Sequence, residues 1–188
     1  PWCFTRSQVA AQTGCRDIQI VNDFAAVARS LPALSALDLE QIGDGSSQLG
    51  QSMVTIGPGT GCGVATVVID DAGKAMVLPG EGGHVDFAPT TDIEMKVLRQ
   101  LKAAFGRVSV ERILSGPGIM NLYRALGEIH QLPSKYASPE AVGDAARAGD
   151  RLAMESMSRF CSILGSVAGD LALTVGARGG VFIAGGIA

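Results

Sequence analysis

Residues 79 to 89 read Pro-Gly-Glu-Gly-Gly-His-Val-Asp-Phe-Ala-Pro. The run sets a carboxylate, Glu81, three residues from an imidazole, His84, on a backbone loosened by Gly80, Gly82 and Gly83. Glycine admits positive φ and lets the main chain approach a ligand closely. A carboxylate accepts hydrogen bonds, and a neutral histidine both donates and accepts. The pair therefore suits a small molecule rich in hydroxyls, such as a sugar. Two other readings stand beside it. His84 can simply bond backbone carbonyls within a tight loop. A metal site would need more clustered ligands, and Asp86 is the only nearby candidate.

Four other places carry chemistry. Asn22-Asp23 follows a predicted strand, and open α/β sheets bind ligands outside the carboxyl ends of their strands. Asp23 there could act as general base toward a hydroxyl, with Asn22 holding a neighbouring one; taken alone, Asp23 equally reads as a cap of the following helix. Gly57-Pro-Gly-Thr-Gly-Cys-Gly63 has four glycines in seven positions between two predicted strands. It lacks the lysine of a P-loop and the strand-to-helix setting of a dinucleotide fingerprint. It could offer a nest of N–H groups to phosphate oxygens, with the Thr60 hydroxyl beside them, or be a plain hairpin. Glu111 precedes Arg112 near a helix start and reads by itself as a solvated charge. Gly179 to Gly186 is a short apolar run ending in a double glycine, fit for close approach of a ring or phosphate, or for a tight strand–helix crossing.

The elements that must position these groups follow from pattern. Asp17–Val21 is predicted as a strand, with a helix from Phe24 to Leu31 and a loop over residues 33–50. Ser52–Ile56, Gly63–Ile69 and Lys74–Leu78 are predicted strands, with Asp70 to Gly73 as a hairpin turn. Thr91 and Glu94 form a capping box for a helix ending at Gly106. Helical stretches follow at Val110–Leu114 and Pro117–Ile129, then behind Ser138-Pro139. A long helix spans Asp150–Val175, its stripe made of Met157, Phe160, Leu164, Val167, Leu171 and Val175. Gly165, Ala168, Gly169 and Ala172 predict a second face small enough for close packing, and Met154 reads as core filler. Gly180–Ala184 is a buried strand. The order implies an α/β fold with a mixed sheet and flanking helices.

The totals exclude several classes. The chain has 188 residues, 47% hydrophobic and 18% charged, with net charge −3, one Trp and two Tyr. No basic tract points to nucleic acid, and no apolar run is long enough for a membrane span. Four scattered cysteines, without a Cys-x-x-Cys pair, read as free thiols. The chain begins with Pro1 and stops within an apolar run, so it is read as an internal fragment cut at both ends.

Taken together, IVNDFAAVA (20–28), IGPGTGCGVA (56–65), LPGEGGHVDFAP (78–89), VERILSGPGIMNLYRAL (110–126) and GGVFIAGGIA (179–188) resemble the bacterial glucokinases of the hexokinase-like sugar kinase superfamily. The resemblance implies the ribonuclease-H-like, actin-like ATPase fold, incomplete here at both ends. It implies residues 1–24 as the end of a small domain and 25–188 as mostly large domain. It implies phosphorylation of glucose at the 6-hydroxyl by ATP with Mg2+, with Asp23 as catalytic base. Asn22, Asp23, Glu81, His84 and Glu111 would bind glucose. Gly59, Thr60 and Gly61 resemble a phosphate loop, and Gly185 and Gly186 an adenosine motif. A cytoplasmic homodimer, free of nucleic acid and membrane, is the family expectation. The family's Asp-x-Gly-Gly-Thr loop and its C-terminal segment are not in this chain, so the fragment alone is expected to be inactive. The cysteine-rich zinc motif of the related repressor/kinase group is absent, and Cys62 replaces a larger aliphatic. A sugar-binding regulator without catalysis, or another kinase of the same fold, is the alternative.

Overall fold

Two β-branched runs broken by glycines make the centre of the molecule. β1 (Met53–Pro58) and β2 (Cys62–Ile69) form an antiparallel hairpin in which Gly57 pairs with Gly63 and Pro58 with Cys62. β3 (Ala75–Gly80) returns along β2 through a turn in which the Gly73 N–H donates to the Asp70 carbonyl, 2.8 Å. β4 (Gly180–Ile183) lies parallel to β1, giving the strand order β3-β2-β1-β4. The mixed α/β sheet expected from the element order is therefore present in the computed structural model, which describes residues 3–187. Pro1, Trp2 and Ala188, at the extremes of the two domain stretches, lie outside the described residues.

Alternation along the strands builds two cores. Val54, Ile56, Cys62 and Val64 face the larger one, shared with α3 (Asp92–Phe105), α4 (Gly116–His130), α5 (Pro139–Arg147) and α6 (Arg151–Val175). Ala65 and Val67 face the smaller one, closed by Ala28 and Leu31 from α2 (Asp23–Ser30) and its 3₁₀ extension. Each fully buried Leu, Ile or Phe in these layers contributes about 1.5–3 kcal/mol of transfer free energy. The expected stripe of α6 is the buried one: Phe160 and Leu164 are core, and Met157, Val167, Leu171 and Val175 pack against it. The predicted caps also hold. Thr91 and Glu94 form a reciprocal box, and the Ser138 hydroxyl accepts from the Ala141 N–H.

Several expectations are corrected. β4 is half-buried to exposed rather than the buried strand expected, and Val110–Arg112 is a 3₁₀ turn rather than the helical stretch expected over Val110–Leu114. Residues 17–21 do not form a strand. No backbone ladder partner reaches them among the described residues, and Ile20 and Val21 are exposed; β propensity makes no strand without a neighbouring one. The small face of α6 is covered only in part: Ala168 is buried in the larger core, but a Cβ at Gly165 or Gly169 would meet nothing within 4 Å. Met154, assigned to the core, is exposed, because it falls one position off the buried stripe. α1 (Arg6–Thr13) has no counterpart in the sequence reading, although Thr5 and Gln8 form a full capping box. It buries no side chain, so its apolar pattern carries no signal.

Candidate active site

The end of the β1–β2 hairpin is where the candidate residues gather. On one face, the Phe24 ring lies over the Gly57–Gly63 pair; a Cβ on either glycine would overlap the ring. Two paired glycines thus make a seat for one aromatic ring, which docks the first turn of α2 against the hairpin. Asn22 is the N-cap of that helix, its Oδ1 accepting the Ala25 N–H at 3.1 Å. The capping role considered for Asp23 therefore falls to its neighbour. Asp23 is the first helical residue, exposed, its carboxylate accepting the Phe24 N–H at 2.8 Å. It stands at a helix N-terminus, where the peptide dipoles favour negative charge.

On the other face lie Glu81, His84 and Glu111. Gly82–His84 form a 3₁₀ turn, with the His84 N–H donating to the Glu81 carbonyl at 2.9 Å. The turn presses onto β2 through glycine: a Cβ on Gly83 would collide with the Cys62 carbonyl. The segment behind it is tied to residues 108–110 by a short antiparallel bridge, Asp86 opposite Ser109. The Phe87 N–H donates to the Val108 carbonyl (3.0 Å) and the Val110 N–H to the Val85 carbonyl (2.9 Å). Continued by two residues, that register sets His84 opposite Glu111. The imidazole accordingly stands between two carboxylates, Nε2 3.8 Å from Glu81 Oε2 and Nδ1 3.9 Å from Glu111 Oε1. Glu81 is 79% exposed, His84 57% and Glu111 34%. These separations exceed hydrogen-bond length and leave most of the acceptor and donor capacity of the cluster to a ligand.

Glu111 joins this cluster to the hairpin. Its Oε2 accepts the Cys62 N–H at 2.9 Å, and Gly61 has no side chain because Oε2 would stand 2.5 Å from its Cβ. Its own carbonyl accepts the Ser115 hydroxyl at 2.7 Å; that oxygen in turn accepts the Gly118 N–H at 3.0 Å and caps α4. Arg112, next in the chain, turns away and places its guanidinium 4.3 Å over the Phe105 ring. Burial pushes the Cys62 thiol up to about 12, and the adjacent Glu111 carboxylate adds to the effect. Cys62 is thus a neutral wall of the site, not a nucleophile.

At the hairpin tip the Gly59 N–H is used internally, donating to the Gly61 carbonyl at 2.8 Å, while the Gly59 carbonyl accepts the Gly116 N–H at 2.8 Å. Gly59 therefore shapes the nest without donating to it, and among the described residues the Thr60 and Gly61 N–H groups make no backbone bond outside the strands. The N-terminus of α4 abuts this tip, adding positive dipole potential beside it. β4 ends alongside: the Ala184 N–H donates to the Ile56 carbonyl at 2.9 Å, and Gly185, at φ 108°, sits where a Cβ would be 2.6 Å from the Pro58 carbonyl. Gly186 follows, exposed, with open space around its Cα.

The structure thus unites Glu81, His84 and Glu111 directly, and brings Gly59, Thr60, Gly61 and Gly185 to the same sheet end. Asn22 and Asp23 reach that end from the opposite face through Phe24; among the described residues no hydrogen bond or ion pair links them to Glu81 or His84. Three contributors were not read from sequence: Phe24, the Cys62 N–H and Arg107, which bonds the His84 loop. Opposite charges at 86 and 107 and the spacing of Gly57 and Gly63 are the only local traces of them.

The glucokinase family model matches residues 1–188. A glucokinase of Chromohalobacter salexigens is 44% identical over 186 residues, 99% of this chain and 58% of the relative. A crystal structure of glucokinase from an Antarctic psychrotroph superposes with a TM-score of 0.88 at 36% identity, covering 98% of this chain and 57% of that one. A ROK family glucokinase from Streptomyces griseus, solved with glucose and AMPPNP, has a TM-score of 0.61 at 16% identity, covering 97% and 56%, a likeness of fold alone. The actin-like ATPase fold expected from the sequence is the fold these structures share with it. This chain spans about 58% of the length of the curated relatives it matches, and by the match along its whole length it belongs to the glucokinase family.

Proposed function

We propose that the protein carrying this chain transfers the γ-phosphoryl group of magnesium–ATP to the 6-hydroxyl of glucose. Asp23 takes the hydroxyl proton as the sugar oxygen attacks the γ-phosphorus. The bond from phosphorus to the bridging oxygen breaks, and ADP leaves with that electron pair. Phosphoryl transfer asks the protein mainly for positioning and charge stabilisation. In this reading Glu81, His84, Glu111 and Asn22 hold the other sugar hydroxyls. Asn22 Oδ1 is engaged in its cap, so its amide N–H₂ would be the sugar-facing group. Gly59, Thr60 and Gly61 face the phosphates, and Gly185 and Gly186 the adenosine. Magnesium enters with ATP as substrate. Among the described residues no three His, Cys, Asp or Glu are grouped to hold a metal.

One observation carries the reading. A cluster of two carboxylates and an imidazole, largely open to ligand, is tied through Glu111 to the glycine hairpin on which the residue after Asp23 is seated. In this reading, hydroxyl-binding chemistry, a phosphate nest and a carboxylate base share one sheet end. Family membership and the ligands of the Streptomyces griseus neighbour agree with it. The reading carries with it the division near residue 24 between a small and a large domain, a cytoplasmic setting and a homodimer. No helix among the described residues is long and apolar enough to cross a membrane.

The test is a coupled ADP-release assay of the full-length polypeptide with glucose, mannose, fructose and N-acetylglucosamine. Glucose should be turned over, and Asp23→Ala should lower kcat by about 10²–10⁴-fold while glucose binding persists. A wild-type protein that binds glucose without turnover would favour a regulator; Asp23→Ala within tenfold of wild type would remove Asp23 as base.

A further inference from the structure

The His84 loop needs an anchor that glycines cannot supply. Gly82 and Gly83 precede it, and ordering such a segment costs more backbone entropy than any other residue type would. The imidazole itself is not held, since both carboxylates stand beyond hydrogen-bond length. Beyond the backbone pairing of residues 85–87 with 108–110, a side chain grips the loop from outside: Arg107. Its Nη2 donates to the His84 carbonyl at 2.7 Å, and its Nε donates to Asp86 Oδ1 at 2.7 Å. Gly106, at φ 72°, ends α3 and turns the chain so that Arg107 lies beside the loop just before residues 108–110 pair with it.

We propose that Arg107 is a positioning residue for sugar binding. Its planar fork spans the His84 carbonyl and the Asp86 carboxylate at once and presets the height and rotation of His84 opposite Glu111. It touches neither reacting group and is itself exposed, so its effect reaches the sugar only through His84. Lysine cannot reproduce it, because an ammonium on a flexible stem lacks the fixed two-point geometry. Removing the clamp leaves His84 to be ordered by the ligand, so binding weakens while the chemical step, set by Asp23 and the hairpin, stays intact. This inference rests on the proposed role of His84 in holding a sugar hydroxyl.

The experiment compares Arg107→Ala, Arg107→Lys and Asp86→Ala with wild type in the full-length polypeptide, by steady-state kinetics, by calorimetric titration with glucose and by urea denaturation. Arg107→Ala should raise the glucose KM and Kd about 3- to 20-fold, the scale of one charge-assisted hydrogen bond at a partly exposed site. The kcat, the ATP KM and the urea midpoint should stay near wild type. Arg107→Lys should fall between. Asp86→Ala should raise KM less than Arg107→Ala, and the double variant should add nothing to Arg107→Ala. A glucose KM within twofold of wild type in Arg107→Ala overturns the proposal. So does a parallel fall of kcat and urea midpoint, which would mark a structural role. Wild type that neither binds nor phosphorylates any hexose overturns the functional reading and this inference together; wild type that binds glucose while Arg107→Ala binds it equally overturns the inference alone.

Discussion

Glu111 has two jobs that substitution can separate. One carboxylate oxygen accepts the Cys62 N–H, and the other faces His84. Cys62 is buried, with 6% of its surface exposed, so its N–H has no ready substitute partner. Glu111→Ala leaves that donor unpaired, at a cost of about 1–3 kcal/mol. Glu111→Gln keeps an acceptor oxygen but drops the charge. A hydrogen bond to a charged group contributes about 1.5–3 kcal/mol and a neutral one about 0.5–1.5, so Glu111→Gln should lose roughly 1 kcal/mol. Urea titration should therefore rank wild type, Gln and Ala in falling order. Cys62 gives a second readout. Because the Glu111 charge adds to the burial that raises its thiol, both variants should lower that thiol's pKa, and Ala should also open it to an alkylating reagent. On the proposed function the sugar readout runs differently: both variants should weaken glucose binding, since each loses the carboxylate that faces His84. A Glu111→Gln protein as unstable as Glu111→Ala would refute the assignment of the penalty to an unpaired N–H. Wild-type stability in Glu111→Ala would refute the tether itself.

Two further outcomes follow from the packing and the caps. Phe24→Ala removes the half-buried ring seated on Gly57 and Gly63. Full burial would make this a 3–5 kcal/mol loss; half of that, about 2 kcal/mol, is expected in urea titration, together with, if Asp23 is the base proposed above, a fall in kcat from its misplacement. Lost stability with unchanged kcat would reduce Phe24 to a packing residue. Glu94 supplies the pH dependence. Burial pushes its carboxyl up, but hydrogen bonds from the Thr90 N–H and hydroxyl and from Thr91 outweigh that and hold it below the usual value. A carboxyl depressed in the folded state stabilises above the unfolded value of about 4.3 and loses that contribution as pH falls through the folded one. The stability gap between wild type and Glu94→Gln should therefore be full at pH 7 and close on acidification below about pH 4; a gap that stays constant to pH 3 would refute this account.

Much of the frame is legible in the chain. The Thr91–Glu94 box, the Ser138 cap and the α6 stripe are short-range patterns, and each reads correctly because its partners lie within a turn or two in sequence. The β-branched pattern at 17–21 misleads for the opposite reason, since a strand exists only where another chain segment lies beside it. Gly165 and Gly169 mislead similarly: small residues permit close packing without summoning a neighbour.

The amino-acid order by itself determined which groups are available: Asp23, Glu81, His84, Glu111 and the glycine run, each with chemistry inherent in its side chain or its lack of one. Tertiary structure alone decided their company. Glu111 lies 49 positions beyond the Cys62 N–H it accepts, and Arg107 lies 23 beyond the His84 carbonyl it holds. Such pairs are set by strand register and by rings seated on missing side chains, which no local pattern encodes, because a hydrogen bond answers to distance in space and not along the chain.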